Sequence, residues 1–279
     1  MPRTWEEVEA ACAAVTGPGG GAQHGITWAN DGWVGQQAVA QQGGLLADRA
    51  NGRSGRARTV DLASKELLRW AEWWAGLHER GHYLRTGGPS DWEGAFGAFA
   101  EQRVALVLDS SKAADDLVRC GARAGFTVAA APMPRAAAAP YAGNPVSGDS
   151  LWLARGLDPV KRDGALALMQ YLIGPEHAAG WHRDHGFVPV TGAAYASLEE
   201  SGWFRERPHQ RVATEQLGLS DRSPAALGPL LGELPGVHDV MARAMDEVLL
   251  RSADPAQVFA RATAEAQALL DGYHERLGL

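Results

Sequence analysis

A chain of 279 residues can bury a substantial core, as one large domain or as two lobes. Apolar residues make up 46% of it, yet no run approaches the roughly 20 that a membrane-spanning helix needs. The formal charge of −7, without a basic block, argues against a nucleic-acid partner, and Cys12 and Cys120 lack the spacing of a zinc site or disulfide framework.

Thr4-x-x-Glu7 is a capping box and predicts a helix to about Val15, stopped by Gly17-Pro18-Gly19-Gly20-Gly21. Gly25–Trp28 reads as a short strand, followed by Asn30-Asp31-Gly32-Trp33 and a helix to about Gln42. Leu45–Thr59 is a polar excursion with a turn at Asn51-Gly52. Leu67, Leu68, Ala71, Trp74 and Leu77 form the core-facing stripe of a helix over Ser64–Arg80, which makes Trp70, Trp73 and Trp74 packing residues. Ser90-x-x-Glu93 is a second capping box, opening a helix to about Glu101. Val104–Leu108 and Phe126–Ala131 are apolar runs of strand length, and between them Ser110 caps a helix to about Ala122.

The Ala- and Pro-rich segment Pro132–Pro145 reads as a crossing between lobes. Leu151-Trp152-Leu153-Ala154 is a short apolar strand, Val160–Ile173 a helix, and Pro175-Glu176 opens another to about Asp184, with proline at its favoured first position. A Gly186-Phe187-Val188-Pro189 turn follows. Thr191–Ser201, Gln210–Leu217, Gly236–Leu250 and Pro255–Leu277 are helical by periodicity, the last capped by Asp254. Alternating strands and helices imply a mostly parallel α/β sheet covered on both faces, with ligands beyond the C-terminal strand ends, where Leu108-Asp109-Ser110-Ser111 falls.

The stretch Ser147–Val190, with its SLW strand, the helix pair "A…YL..PE.AA.WH" and the "GF.PV" turn, resembles the sugar- and glycerol-phosphate-binding proteins of ABC importers. The resemblance implies a type II periplasmic-binding-protein fold, mostly the second lobe with a returning piece of the first. It places residues 1–131 in the second lobe, 132–195 in the segment crossing back to the first, and 196–279 in a helical return. Thr4-Trp5-Glu6-Glu7 matches a segment that lies well inside such proteins, so the chain is expected to be an N-terminally truncated copy. Met1–Trp5 lacks the pattern of a signal peptide, which taken alone leaves the chain in the cytoplasm. The resemblance instead implies a secreted or lipid-anchored protein of the periplasm or cell exterior, working with ABC permease subunits.

The resemblance implies binding without catalysis and without a cofactor. Its ligand residues map to Trp33, Ser110, Ser111, Gly148 and Phe187, with Trp28, Asn30 and Leu230 as weaker correspondences. Hydroxyls and free N–H groups at a helix start suit polar or anionic groups, and indole faces suit the C–H faces of a sugar or polyol. Ser110 also serves simply as a helix cap, and each tryptophan also serves as core. Two departures bear on the ligand: Phe187 replaces a tyrosine, and Leu230 stands where the family keeps a phosphate-gripping arginine.

An alternative class comes from Gly148-Asp149-Ser150-Leu151, which spells the signature of GDSL esterases, with Asp271-x-x-His274 resembling their Asp/His pair. Those serines sit near the chain start on a strand-to-helix turn, whereas Ser150 precedes strand-like residues. A degenerate lobe that binds nothing is a third reading. His177, His182 and His185 read as packing, since a metal site needs a further ligand and second shell that the sequence does not show.

Overall fold

A computed structural model describes every residue of the chain except Pro18, so the expected breaker at Gly17–Gly21 lies partly outside the described residues. In chain order the elements are α1 (Trp5–Thr16), β1 (His24–Thr27), α2 (Gly32–Gln41), α3 (Lys65–Glu79), α4 (Trp92–Ala100), β2 (Val104–Val107) and α5 (Ala114–Ala124). Then come α6 (Pro159–Leu172), α7 (Pro175–His185), α8 (Gly192–Glu200), α9 (Val212–Gly218), α10 (Leu234–Arg251) and α11 (Pro255–Leu277). The chain forms two compact units. The first holds Met1–Asp109, Ala131–Val146 and Gln216–Leu279; the second holds Ser110–Ala130 and Ser147–Glu215.

The first unit is built on α3. Leu67, Ala71, Trp74 and Leu77 of the expected stripe are buried, Trp70 is buried with them, and Leu68 is half-buried against the core; α10 and α11 pack against each other and against this helix. The Thr4–Glu7 capping box forms at the start of α1 and brings Trp5 over Trp73, with ring centroids 5.0 Å apart and planes 15° from parallel. Trp28 stacks on the same Trp73 at 5.8 Å and meets Tyr83 at 4.6 Å. The Tyr83 hydroxyl donates to the Trp28 carbonyl at 2.7 Å, and burial pushes its pKa far above the usual phenol range.

β1 and β2 pair in parallel, with Ile26 opposite Leu106, and Tyr83 bridges to Ile26 on the other side of β1. Among the described residues this is the whole regular sheet, smaller than the alternation implied. The strands expected at Phe126–Ala131 and Leu151–Ala154 do not form. A strand exists only with a partner for its N–H and C=O groups. Phe126 and Val128 instead lie along α5, so close to Gly121 that a Cβ there would stand 2.5 Å from a Val128 methyl. Leu151–Ala154 lies in solvent, with Trp152 90% exposed.

Two further local expectations shift. The cap of α4 is Asp91, whose Oδ1 accepts from Gly94 N at 3.0 Å, because Ser90 turns left-handed (φ 58°) and donates its hydroxyl to Asp31 Oδ2 at 2.8 Å. The turn at Asn51-Gly52 is larger than expected: Arg49, Ala50 and Asn51 all have φ of 53–59°. This left-handed turn is fastened by Asn51, whose Oδ1 accepts from Leu46 N (2.8 Å) and Ala47 N (3.1 Å) and whose amide donates to Pro224 O (3.2 Å).

In the second unit Pro175 starts α7, and Gly186 ends it in the left-handed conformation (φ 70°). Ala178, Ala179, Ala194, Leu198 and Phe204 form a small core between α7, α8 and the turn at Trp203–Glu206. His182 is buried beside them and shares a hydrogen bond of 2.7 Å between Nδ1 and the Phe187 carbonyl. Burial holds its imidazole pKa below the ordinary value, outweighing the upward pull of that bond.

Candidate ligand-binding surfaces

The second unit brings two of the expected segments together. Ser110 Oγ accepts from Lys112 N at 3.3 Å, opening a single 3₁₀ turn (Ser111–Ala113) that runs into α5. The C-terminal turn of α7 presses on this start: a Cβ at Gly186 would stand 3.0 Å from the Lys112 carbonyl. Phe187, half-buried, is thereby held with Lys112 Nζ 5.4 Å from its ring centroid, and Trp181 meets the ring edge-on at 6.4 Å. A cation and an aromatic ring thus meet beside the capped turn that carries Ser110 and Ser111. Lys112 was present in the Ser-Ser-Lys segment, but only its contact with Phe187 shows that it belongs with the ring. Gly148 lies apart in the exposed segment, with open space around its Cα, so no close approach explains the glycine.

In the first unit, Asp31 caps α2 by accepting from Trp33 N at 2.8 Å, and its other oxygen takes Ser90 Oγ and Trp92 Nε1. Trp33 is half-buried, edge-on to Trp92 at 6.1 Å. Trp28 is 1% exposed, its faces spent on Trp73, Trp74 and Tyr83. Asn30 is equally committed, donating to Ala242 O (2.8 Å) and Asp246 Oδ1 (2.9 Å). Of the three, only Trp33 keeps a face toward solvent.

Leu230 is 59% exposed, on a loop whose N–H donates to Asn51 O at 2.7 Å. Gly52 (φ 76°) fits here because a Cβ would stand 2.1 Å from Leu230 O. Arg53 reaches across to the same loop, donating Nε to Gly228 O at 2.7 Å and Nη2 to Leu227 O. No motif had marked Arg53; its position depends on the left-handed turn. Nearby, His238 shares a bond of 2.8 Å with Gln36 Oε1, and burial lowers its pKa.

The esterase geometry does not form. Ser150 lies in an exposed, irregular segment, not on a strand-to-helix elbow; Asp271 accepts from Gln267, and His274 is buried in α11. Among the described residues no cluster of three His, Cys, Asp or Glu side chains could hold a metal ion, and no helix is long and apolar enough to cross a membrane.

The family model of bacterial extracellular solute-binding proteins matches residues 1–211. The chain belongs to this family. Among curated solute-binding proteins it is 26% identical, over 248 residues, to the sn-glycerol-3-phosphate-binding periplasmic protein UgpB of Yersinia pseudotuberculosis, covering 88% of this chain and 55% of that one. The Escherichia coli protein of the same name is 24% identical, covering 96% of this chain and 60% of the relative. Solved solute-binding proteins share the fold. UgpB of Mycobacterium tuberculosis, in complex with glycerophosphocholine, superposes with TM-score 0.70 at 22% identity, over 97% of this chain and 64% of that one. MalE of Xanthomonas citri gives TM-score 0.74 at 16% identity, over 100% and 66%. The chain therefore spans little more than half the length of the first of these curated relatives and carries part of a type II periplasmic-binding-protein fold.

Proposed function

We propose that this chain is the ligand-holding part of the substrate-binding component of an ABC importer, acting by recognition without chemistry on the extracellular or periplasmic side. The observation that carries this is the family match over residues 1–211. Delivery to permease subunits and secretion or lipid anchoring belong to the same proposal. The ligand is a sugar, a polyol or a glycerophospho-diester. Relatives were solved with glycerophosphocholine, acarbose and ribitol, which share hydroxyls set on C–H surfaces. Half-buried Trp33 and Phe187 offer aromatic faces for such surfaces, and Ser110, Ser111 and Lys112 offer hydroxyls and one positive charge. By the resemblance Leu230 replaces the family's phosphate-gripping arginine, which disfavours a phosphomonoester.

The test is calorimetry with ribitol, glycerophosphocholine and glycerol-3-phosphate, on the chain joined to the part of the fold that its match leaves out. A neutral polyol or the diester is expected to bind, and Trp33→Ala and Phe187→Ala each to weaken binding at least about tenfold. Binding unchanged in both variants, or none by any of the three compounds, overturns the reading.

A further inference from the structure

The loops over residues 45–59 and 220–231 carry five arginines and two aspartates, a positive surplus in a chain whose formal charge is −7. The two loops are fastened into one structure. Asp48 N donates to Thr59 O at 3.1 Å, closing the first loop at its base, and Gln267 Nε2 donates to Arg58 O at 2.9 Å. Asn51, Arg53 and Leu230 tie the second loop to the first through the bonds described above.

The acids of these loops turn to the backbone. Asp48 Oδ1 accepts from Arg58 N (2.7 Å) and Thr59 N (3.2 Å), and Asp221 Oδ1 accepts from Ser223 N (2.7 Å). The cations are left outside. Arg49, Arg56, Arg58 and Arg222 are exposed; Arg49 meets a carboxylate only at 4.0 Å, and among the described residues no carboxylate pairs with the other three. Elsewhere in the first unit Arg80, Arg85, Arg103, Arg243, Arg261 and Arg276 each pair with a carboxylate. Like charges gathered without acids repel one another, a cost that an anionic partner relieves.

Shape selects the partner. Arg53–Arg56 are exposed without a break, and Gly55 (φ 149°) has nothing within 4 Å of where a Cβ would stand, so the loop tip projects clear of the protein. A projecting tip cannot enclose a single ion, but it can rest on an extended anionic surface. Leu227, 49% exposed with its carbonyl held by Arg53, adds an apolar side chain able to enter a headgroup layer.

We propose that these two loops form a docking surface for a membrane rich in anionic phospholipid, with Arg49, Arg56, Arg58 and Arg222 on the phosphate groups. Each arginine near such a surface raises partition about fivefold, so four together raise it on the order of several hundredfold. That is enough to orient a protein already held near the membrane, not to anchor it alone. The chain's negative surplus lies outside these loops and is screened beyond about 10 Å at about 0.1 M salt. The proposal uses neither the family match nor the identity of the ligand.

The test is cosedimentation of the full 279-residue chain with vesicles of phosphatidylcholine alone, and of phosphatidylcholine and phosphatidylglycerol in equal parts. Retention is expected on the mixed vesicles only, and should be lost as salt is raised. Arg56→Gln/Arg58→Gln should lower partition about 25-fold, and Arg49→Gln/Arg222→Gln should do the same from the other two positions. Arg243→Gln/Arg261→Gln removes two charges from ion-paired sites on α10 and α11 and should leave partition unchanged. All of these side chains are exposed, so circular dichroism should be that of wild type in every variant. Equal retention on both kinds of vesicle, no retention on the mixed ones, or an equal loss in the α10/α11 variant overturns the proposal. Calorimetry with soluble tripolyphosphate tests the other occupant: tight binding there, without retention on vesicles, would assign the loops to a free polyanion instead.

Discussion

Gly25 lies so close to Cys12 that a Cβ at position 25 would stand 2.4 Å from both the Cys12 Cβ and its sulfur. This contact sets the approach of α1 to β1. Gly25→Ala must push the helix off the strand and is expected to destabilise the protein by about 1–3 kcal/mol, the usual range for overpacking. A denaturant midpoint unchanged from wild type would refute the close approach.

The same burial governs the thiol. Cys12 is fully buried, and desolvation, aided by Glu9, raises its pKa to about 11, whereas Cys120 is only half-buried. Thiol titration of the native protein should therefore modify Cys120 alone, with Cys12 reacting only in denaturant. Rapid native labelling of a Cys120→Ser variant would contradict this.

Arg85 and Asp246 form a bidentate pair, both bonds 3.0 Å, and Asp246 Oδ1 also accepts from Asn30. Asp246→Ala leaves a partly buried guanidinium and a buried amide short of an acceptor, which should cost about 2–3 kcal/mol. Arg85→Ala in the same background should then add little, since the pair is already broken. Additive losses from the two substitutions would show that the bonds are not coupled.

Two histidines with lowered pKa, buried His182 and half-buried His238, contribute to the acid side of the stability profile. Burial lowers the pKa of His182 and of His238 below 6.5, against the Phe187 carbonyl in one case and Asp31 and Asp239 in the other. The unfolded chain therefore takes up these protons first as pH falls. Their contribution is complete above about pH 6.5 and declines below it until the folded-state values are passed. Urea midpoints at about pH 7.5 and about pH 5 should fall less in a His182→Gln/His238→Gln variant than in wild type. An equal fall in both would assign the acid sensitivity to other groups.

Leu230→Arg should convert the ligand preference. A charge-assisted hydrogen bond contributes on the order of 1.5–3 kcal/mol, so the variant should gain at least about tenfold affinity for glycerol-3-phosphate over ribitol. The measurement needs the chain joined to its complementary segment. Strong phosphate binding before the substitution and no gain after it would point to Lys112 or Arg53 as sufficient.

The features legible in the sequence are those with local causes. The Thr4–Glu7 box, the α3 stripe, and Pro175 and Gly186 at the two ends of α7 each act within a turn or two of chain, and each element begins or ends where they indicate. The misread features depend on distant partners. Leu151–Ala154 has the composition of a strand, but composition names no neighbour to pair with. Ser90 has a good capping residue three positions ahead, yet its hydroxyl goes to Asp31, 59 residues away in sequence. At the ligand surfaces the segment Ser110-Ser111 and the ring of Phe187 were readable singly. That Lys112 joins them, and that Trp28 and Asn30 are spent inside the first unit, depends on packing that spacing does not encode.

The left-handed turn at Arg49–Asn51 has a consequence for the order of assembly. Arginine and alanine each resist that conformation by about 1–2 kcal/mol, and locally only the bonds from Leu46 N and Ala47 N to Asn51 Oδ1 oppose that cost. Its long-range fastenings arrive much later in synthesis: Pro224 lies 173 residues beyond Asn51, and Gly228 lies 175 beyond Arg53. On a ribosome this loop must wait, unformed, until the C-terminal third of the chain has emerged, and contacts of such separation form slowly. Its closure therefore marks completion of the first unit, and a nascent chain released early would show it as a protease-sensitive site.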